Sequence, residues 1–295
     1  MNRILALAAA VGLSIAGPAF AADCPNDGTV RLGVEPYEAA ARLVPIYDHI
    51  GALIGAKLGC KVSVLITTSY TAEIEAMRAG KLEMGEFGPL GYILAHQVAH
   101  AEAVAGFADA NGKPASYTAG IVTWPGSGIT ALKEVAGHSF AYSDPASTSG
   151  HLFPAYALEG AGIDPDNGVK AFYAGSHGAS FEAIRNHKVE AGELNSQEIE
   201  AARIAGSYQQ GDYVELWRSQ PIPLDPIAVS STLTPEFRAR LTEVLQTLDM
   251  RELSPDDLKI IGSDGARLVP QTDAAYDNIR DLVRVLHIDL TKVSG

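Results

Sequence analysis

Short apolar runs rich in β-branched and aromatic residues alternate along the chain with longer stretches whose apolar positions recur every three or four residues, the pattern of strands alternating with helices. Residues 30–34 predict a first strand, and the spacing of Leu43, Ile46, Tyr47, Ile50 and Leu53 predicts a helix over residues 39–58. A second strand over 62–67 runs into Thr68-Ser69-Tyr70-Thr71, a polar cluster suited to capping a helix over 72–79. A short strand then stops at Phe87-Gly88-Pro89 and yields to an apolar helix from 90 to about 100. Residues 103–107 predict another strand, 111–114 a turn, and 117–124 one long strand that crosses into a second lobe.

The second lobe repeats the alternation. A strand at 138–142 leads into Asp144-Pro145-Ala146-Ser147-Thr148-Ser149-Gly150, followed by a helix over 151–160, a strand at 169–173, a helix at 179–186 and a strand at 189–194. Asn195-Ser196-Gln197 caps a helix to about 205; strand character returns at 213–217, and a proline-rich segment, Pro221 to Pro226, exits through Ile227-Ala228-Val229 as a return strand. Amphipathic helices at 235–248 and 275–286 are expected to pack on the first lobe. The organisation is doubly wound α/β, with residues 22–118 and 229–295 in lobe 1 and 119–228 in lobe 2.

Composition narrows the class. Of 295 residues, 47% are hydrophobic and 19% charged, enough for a large core. Arg3, the apolar run 4–15 and the small-residue site Ala19-Phe20-Ala21 predict a secretory signal peptide over residues 1–21, cleaved near Ala21 or Ala22. Asp23 stands where a lipoprotein signal would want a small residue before Cys24. Export gives the two cysteines an oxidising compartment. Each precedes a predicted strand; if the strands are parallel neighbours, Cys24 and Cys60 share one end of the sheet and form a disulfide. The formal net charge of −13 argues against nucleic acid and anionic lipid as partners.

The candidate chemistry centres on Ser147, Thr148 and Ser149. A strand-to-helix junction offers unpaired backbone N–H groups and the positive end of the helix dipole, so three hydroxyls there suit a small anion; the alternative is an N-cap with nothing bound. His177, at a strand end just before a helix, adds an imidazole donor. Asp225 is either a turn residue or an acceptor that selects an oxyanion still carrying a proton. A triad of Ser149, His177 and Asp225 is conceivable by residue type, but neither Gly126-Ser127-Gly128 nor Thr148-Ser149-Gly150 has the frame of a nucleophile elbow. His96 and His100 share a helix face without a third metal ligand nearby in sequence, and no Walker loop or dinucleotide fingerprint is present. These readings predict no cofactor and no catalysis.

Taken together, Ser69-Tyr70, Glu86-Phe87-Gly88-Pro89 with Tyr92, Ser147-Thr148-Ser149-Gly150 with Pro154, Gly175-Ser176-His177 and Ile222-Pro223-Leu224-Asp225-Pro226 resemble the phosphonate/phosphite-binding family of periplasmic ABC-transporter proteins over residues 29–234. The resemblance implies a two-lobed type II periplasmic binding fold with a two-strand hinge, and a membrane permease as partner. It implies that Ser147, Thr148 and Ser149 hold the oxyanion, Tyr70 and His177 donate to it, and Asp225 accepts from it. Gln197 stands where aminophosphonate binders carry a glutamate, and Phe87 where some members carry tyrosine, which favours phosphite, hypophosphite or methylphosphonate. Alternatives are a sensor of the same fold, for example for arsenite, feeding a membrane histidine kinase, and the Ser/His/Asp hydrolase.

Overall fold

The computed structural model describes residues 24–286, so the expected signal peptide and its cleavage site lie outside the described residues. Strand β1 (Thr29–Val34) pairs in parallel with β2 (Lys61–Ile66) and with β3 (Met84–Glu86). Helix α1 (Ala40–Leu58) connects the first two strands and ends at Gly59, whose φ of 70° is the left-handed conformation that closes a helix without a Cβ penalty. Helix α2 (Tyr70–Arg78) is capped by Ser69, which accepts from the Ala72 amide, and α3 (Pro89–Ala99) follows β3 directly. With β4 (Glu102–Phe107), β12 (Pro226–Val229) and β13 (Leu268–Pro270), these strands form a six-stranded mixed sheet in the order β13-β4-β12-β3-β1-β2.

The expected strand over 117–124 is two strands. Ser116–Tyr117 (β5) pairs antiparallel with Ile222–Pro223 (β11), whereas Gly120–Thr123 (β6) belongs to the second sheet. Thr118 and Ala119 break the run because the backbone changes partner there. The outgoing and returning crossings are thus held side by side as a two-stranded ribbon. The second sheet has the order β10-β6-β9-β7-β8, with β7 (Ser139–Tyr142), β8 (Lys170–Tyr173), β9 (Ala191–Glu193) and β10 (Val214–Arg218). Its residues alternate between two apolar layers: Ile121 and Phe140 pack with Leu158 on one face, Val122 and Ala141 with Phe181 and Ile184 on the other. The central strands β6, β9 and β7 are buried on both faces, the arrangement of a doubly wound sheet, whereas the edge strands β8 and β10 are largely exposed.

Helices α4 (Phe153–Gly160), α5 (His177–Arg185) and α6 (Ser196–Ile204) flank the second sheet, and α7 (Pro235–Gln246) packs on the first. Helices α8 (Pro255–Ile260) and α9 (Asp277–Val285) complete the described chain. Cys24 and Cys60 form the expected disulfide, with a Cα–Cα separation of 5.8 Å, because the parallel register of β1 and β2 brings their leading ends together.

Candidate functional site

The site grows from the end of β7. Asp144 accepts from the Ala146 amide at 2.8 Å, and its carbonyl accepts from the Ser147 amide at 2.9 Å, so the chain turns sharply after the strand. Ser147 then caps the next helix, its Oγ accepting from the Gly150 amide at 3.1 Å. The helix opens with one wide turn, Thr148–Leu152, in which the Leu152 amide reaches the Ser147 carbonyl at 3.1 Å. Such π turns concentrate at functional sites, and here the wide turn sets three successive hydroxyls on one cavity. Gly150 permits the close packing: a Cβ there would stand 1.7 Å from Ser143 Oγ and 2.8 Å from the His177 ring.

The cavity lies between the two sheets. Tyr37, Glu38, Tyr70 and Gly88 line it from the first, Ser147, Thr148, Ser149, His177, Asn195 and Glu198 from the second, and Tyr117 and Asp225 from the crossings. Its volume, measured for the centre of a water-sized sphere, is about 20 Å³. Widened by that sphere's radius of about 1.4 Å, this space takes a body of roughly 3 Å radius, the size of a tetrahedral oxyanion. Direct bonds close the two halves around it: the Leu90 amide donates to Thr148 Oγ1 at 2.8 Å, and the His177 amide to the Tyr37 carbonyl at 3.1 Å.

His177 is 6% exposed, and its Nδ1 lies 3.0 Å from both carboxylate oxygens of the buried Glu193, while Nε2 lies 3.3 Å from Ser147 Oγ. Burial opposes an imidazolium, but the Glu193 charge and hydrogen bond, with Asp225 and Glu38, outweigh it and raise the His177 pKa. Three buried carboxyls of the first lobe, Glu35, Glu73 and Glu86, have no ion-pair partner among the described residues. All three are pushed well above the usual carboxylate range, first by burial and then by the Asp225 charge, with Glu73 also raising Glu35 and Glu86. Asp225 itself is pushed up to about 7 by burial, with Glu86 and His177 opposing. Its Oδ1 is buried without a partner among the described residues, so it can accept from, or when protonated donate to, a group in the cavity.

Of the eight expected ligand-binding residues, Tyr70, Ser147, Thr148, Ser149, His177, Gln197 and Asp225 line this one cavity; Gln197 also borders an open groove beside it. Phe87 does not line it. Its ring packs where a Cβ on Gly85 would stand, within 2.5 Å, so the side chain fills the core beneath β3. The conceivable triad is not assembled: Ser149 Oγ accepts from Asn195 Nδ2 at 3.2 Å, and His177 faces Ser147 and Glu193 instead. His96 Nδ1 is bonded to the Ala101 carbonyl at 2.8 Å, and the described residues contain no cluster of three metal-ligating side chains. Both cysteines are in the disulfide, which leaves no thiolate for arsenite. Glu38, Tyr117, Glu193 and Glu198 belong to the site or its support and were not singled out from the sequence. Each is an isolated residue at a strand end or helix start, without a local motif.

Two lobes joined by a paired ribbon and closing on a small interlobe cavity have the architecture of a solute-binding protein. The chain belongs to the family of periplasmic substrate-binding proteins of phosphonate ABC transporters, whose model matches residues 32–276. It is 27% identical over 274 residues to a phosphate-import protein of Mycolicibacterium smegmatis, covering 87% of this chain and 85% of that one. It is 23% identical to a probable ABC transporter phosphite-binding protein of Prochlorococcus marinus, covering 89% and 91%. A solved structure from P. marinus in complex with methylphosphonate superposes with a TM-score of 0.77 at 20% identity, covering 89% of this chain and 99% of that one. The fold is therefore the two-lobed type II periplasmic binding fold, and the protein is a periplasmic binding component of a transporter, not an enzyme.

Proposed function

We propose that the protein captures a small phosphorus oxyanion, phosphite, methylphosphonate or a related phosphonate, and delivers it to the membrane permease of an ABC transporter. The observation that carries this is the set of three hydroxyls and the His177 imidazole lining a cavity of about 20 Å³. Ser147, Thr148 and Ser149 with the helix start hold the oxyanion, Tyr70 and His177 donate to it, and Asp225 accepts from a P–OH group. Gln197 supplies no charge for an ammonium. Glu38 is already paired with Arg42 at 2.9 Å, and Glu198 is pushed up to about 9 by burial and by Glu38 and Glu193, so it is neutral at pH 7. A ligand without an ammonium fits this lining best. The chain reaches the periplasm through a signal peptide removed near residue 21 or 22. Lobe 1, residues 22–118 with 226–295, and lobe 2, residues 119–225, close on the ligand; the return crossing ends at Pro226 rather than after residue 228 because β12 pairs within the first sheet.

Isothermal titration calorimetry of protein stripped of ligand by unfolding and refolding, against phosphite, methylphosphonate, 2-aminoethylphosphonate and phosphate, tests this. Phosphate belongs in the series because the mycobacterial relative is named for its import. Phosphite or methylphosphonate is expected to bind at about micromolar Kd or tighter and at least tenfold better than 2-aminoethylphosphonate. Tightest binding of phosphate or of 2-aminoethylphosphonate would overturn the ligand assignment, and no heat with any of them would overturn the reading.

A further inference from the structure

Glu193 is the last residue of β9, the middle strand of the second sheet, and is fully buried. It does not line the cavity. A carboxylate withdrawn from water needs compensating donors or a cation. Among the described residues its side chain meets one such group, His177, whose Nδ1 sits 3.0 Å from each oxygen. A ring held that way at Nδ1 presents Nε2 at the other edge, 3.3 Å from Ser147 Oγ. Ser147 Oγ already accepts from the Gly150 amide. In the ligand-free protein it can also accept from Nε2–H; with an oxyanion present, Nε2–H and the Ser147 hydroxyl can both donate to the ligand. Apart from His177 the lining carries the carboxyls Glu38, Glu198 and Asp225 and no lysine or arginine, so the imidazole is the one lining group that can meet an anion as a cation.

Resting on the phosphorus-oxyanion reading of the cavity, we infer that Glu193 is the positioning residue of the site: it ties Nδ1 to the sheet, turns Nε2 to the hydroxyl cluster, and holds His177 as the imidazolium that answers the ligand's charge. The groups that face His177 from the elements around it are Glu193 on β9, Asp225 at the return crossing, Glu38 ahead of α1, and Asp144 and Ser147 after β7. Asp225 and Glu38 also favour the charged ring, but His177 makes no hydrogen bond to either among the described residues. Glu193 alone combines charge with contact.

The test has an arm that does not depend on the ligand. In ¹⁵N-histidine NMR of the ligand-free protein from pH 5 to 9, with the His177 signal assigned by its loss in His177→Gln, both ring nitrogens should stay protonated to a higher pH than in an ordinary histidine. In Glu193→Gln, which keeps an acceptor for Nδ1–H but removes the charge, the titration should move at least one pH unit lower. Methylphosphonate affinity in Glu193→Gln should fall about 10- to 100-fold at pH 8, as expected for losing a hydrogen bond from a charged donor, and the deficit should shrink at pH 5.5. The ratio of wild type to variant cancels the ligand's own ionisation. Glu193→Asp, which keeps the charge, should retain a wild-type pH profile. An ordinary His177 titration in the wild type, or equal affinities and profiles for wild type and Glu193→Gln, or an Asp variant behaving as the Gln variant, would each overturn the inference. If the wild type binds no phosphorus oxyanion, the ligand reading fails and the NMR arm still decides whether Glu193 controls His177.

Discussion

Gly150→Ala puts the geometry of the hydroxyl loop to a direct test. A Cβ at position 150 would lie 1.7 Å from Ser143 Oγ, 2.7 Å from Ser143 Cβ and 2.8 Å from His177 Cε1. The first clash can be relieved by rotating the Ser143 hydroxyl, which has no hydrogen-bond partner among the described residues. The other two cannot, because Ser143 Cβ is fixed to the backbone and the His177 ring is held by Glu193. The wide turn must therefore back away by several tenths of an ångström, an overpacking that costs about 1–3 kcal/mol. The same shift spoils the Ser147 cap and the Ser147–His177 contact, and with them about 1.5–3 kcal/mol of charge-assisted hydrogen bonding to the ligand, or roughly a 10- to 100-fold loss of affinity. Gly160→Ala is the control: it lies in α4, and a Cβ there meets nothing within 4 Å. It should leave binding unchanged and raise stability by up to about 1 kcal/mol. Thermal denaturation and calorimetric titration measure both quantities. Wild-type affinity and melting temperature in Gly150→Ala would refute the geometry.

Two further predictions concern stability. Cys24→Ser with Cys60→Ser opens a loop spanning a sequence separation of 36 and should cost about 4 kcal/mol by the chain-entropy model, read as a lower urea midpoint at nearly unchanged ligand affinity. The folded chain keeps protons on Asp225, Glu35, Glu73 and Glu86 that the unfolded chain releases above roughly pH 4. Because the folded state binds more protons, stability falls as pH rises from about 4 towards 7, where Asp225 ionises, and falls further as the others follow. His177, raised by Glu193, acts in the same direction, contributing stability below about pH 6.5 that is lost as pH passes its folded value. Asp225→Asn should therefore stabilise at pH 8 and have almost no effect at pH 4. Equal shifts at the two pH values in urea denaturation would contradict this.

Much of the first lobe was legible in sequence because each segment carries one clear period. Leu43, Ile46, Tyr47 and Ile50 are all buried on α1, and the parallel pairing of β1 with β2 places the cysteines together as their positions implied. The break at Thr118-Ala119 was not legible, since a change of strand partner leaves no mark on an apolar run. Helix α8 and strand β13 are too short to show a period, and tertiary packing decides them. Phe87 was misplaced for a related reason: β3 has three residues, too few to show which side chains face the cleft. The hydroxyl loop could be read because its donors are contiguous. Glu193 and Glu38 could not, because they reach His177 only through the packing of β9 and the closing of the first lobe onto the second.

A crystal structure of the refolded protein grown with methylphosphonate shows directly whether the hydroxyl loop holds the ligand. The phosphonate oxygens should lie within hydrogen-bond distance of the Ser147, Thr148 and Ser149 hydroxyls and of the His177 side chain, with the methyl group clear of all four. A ligand bound elsewhere, or one oriented with its methyl group on the hydroxyl loop, would contradict this placement.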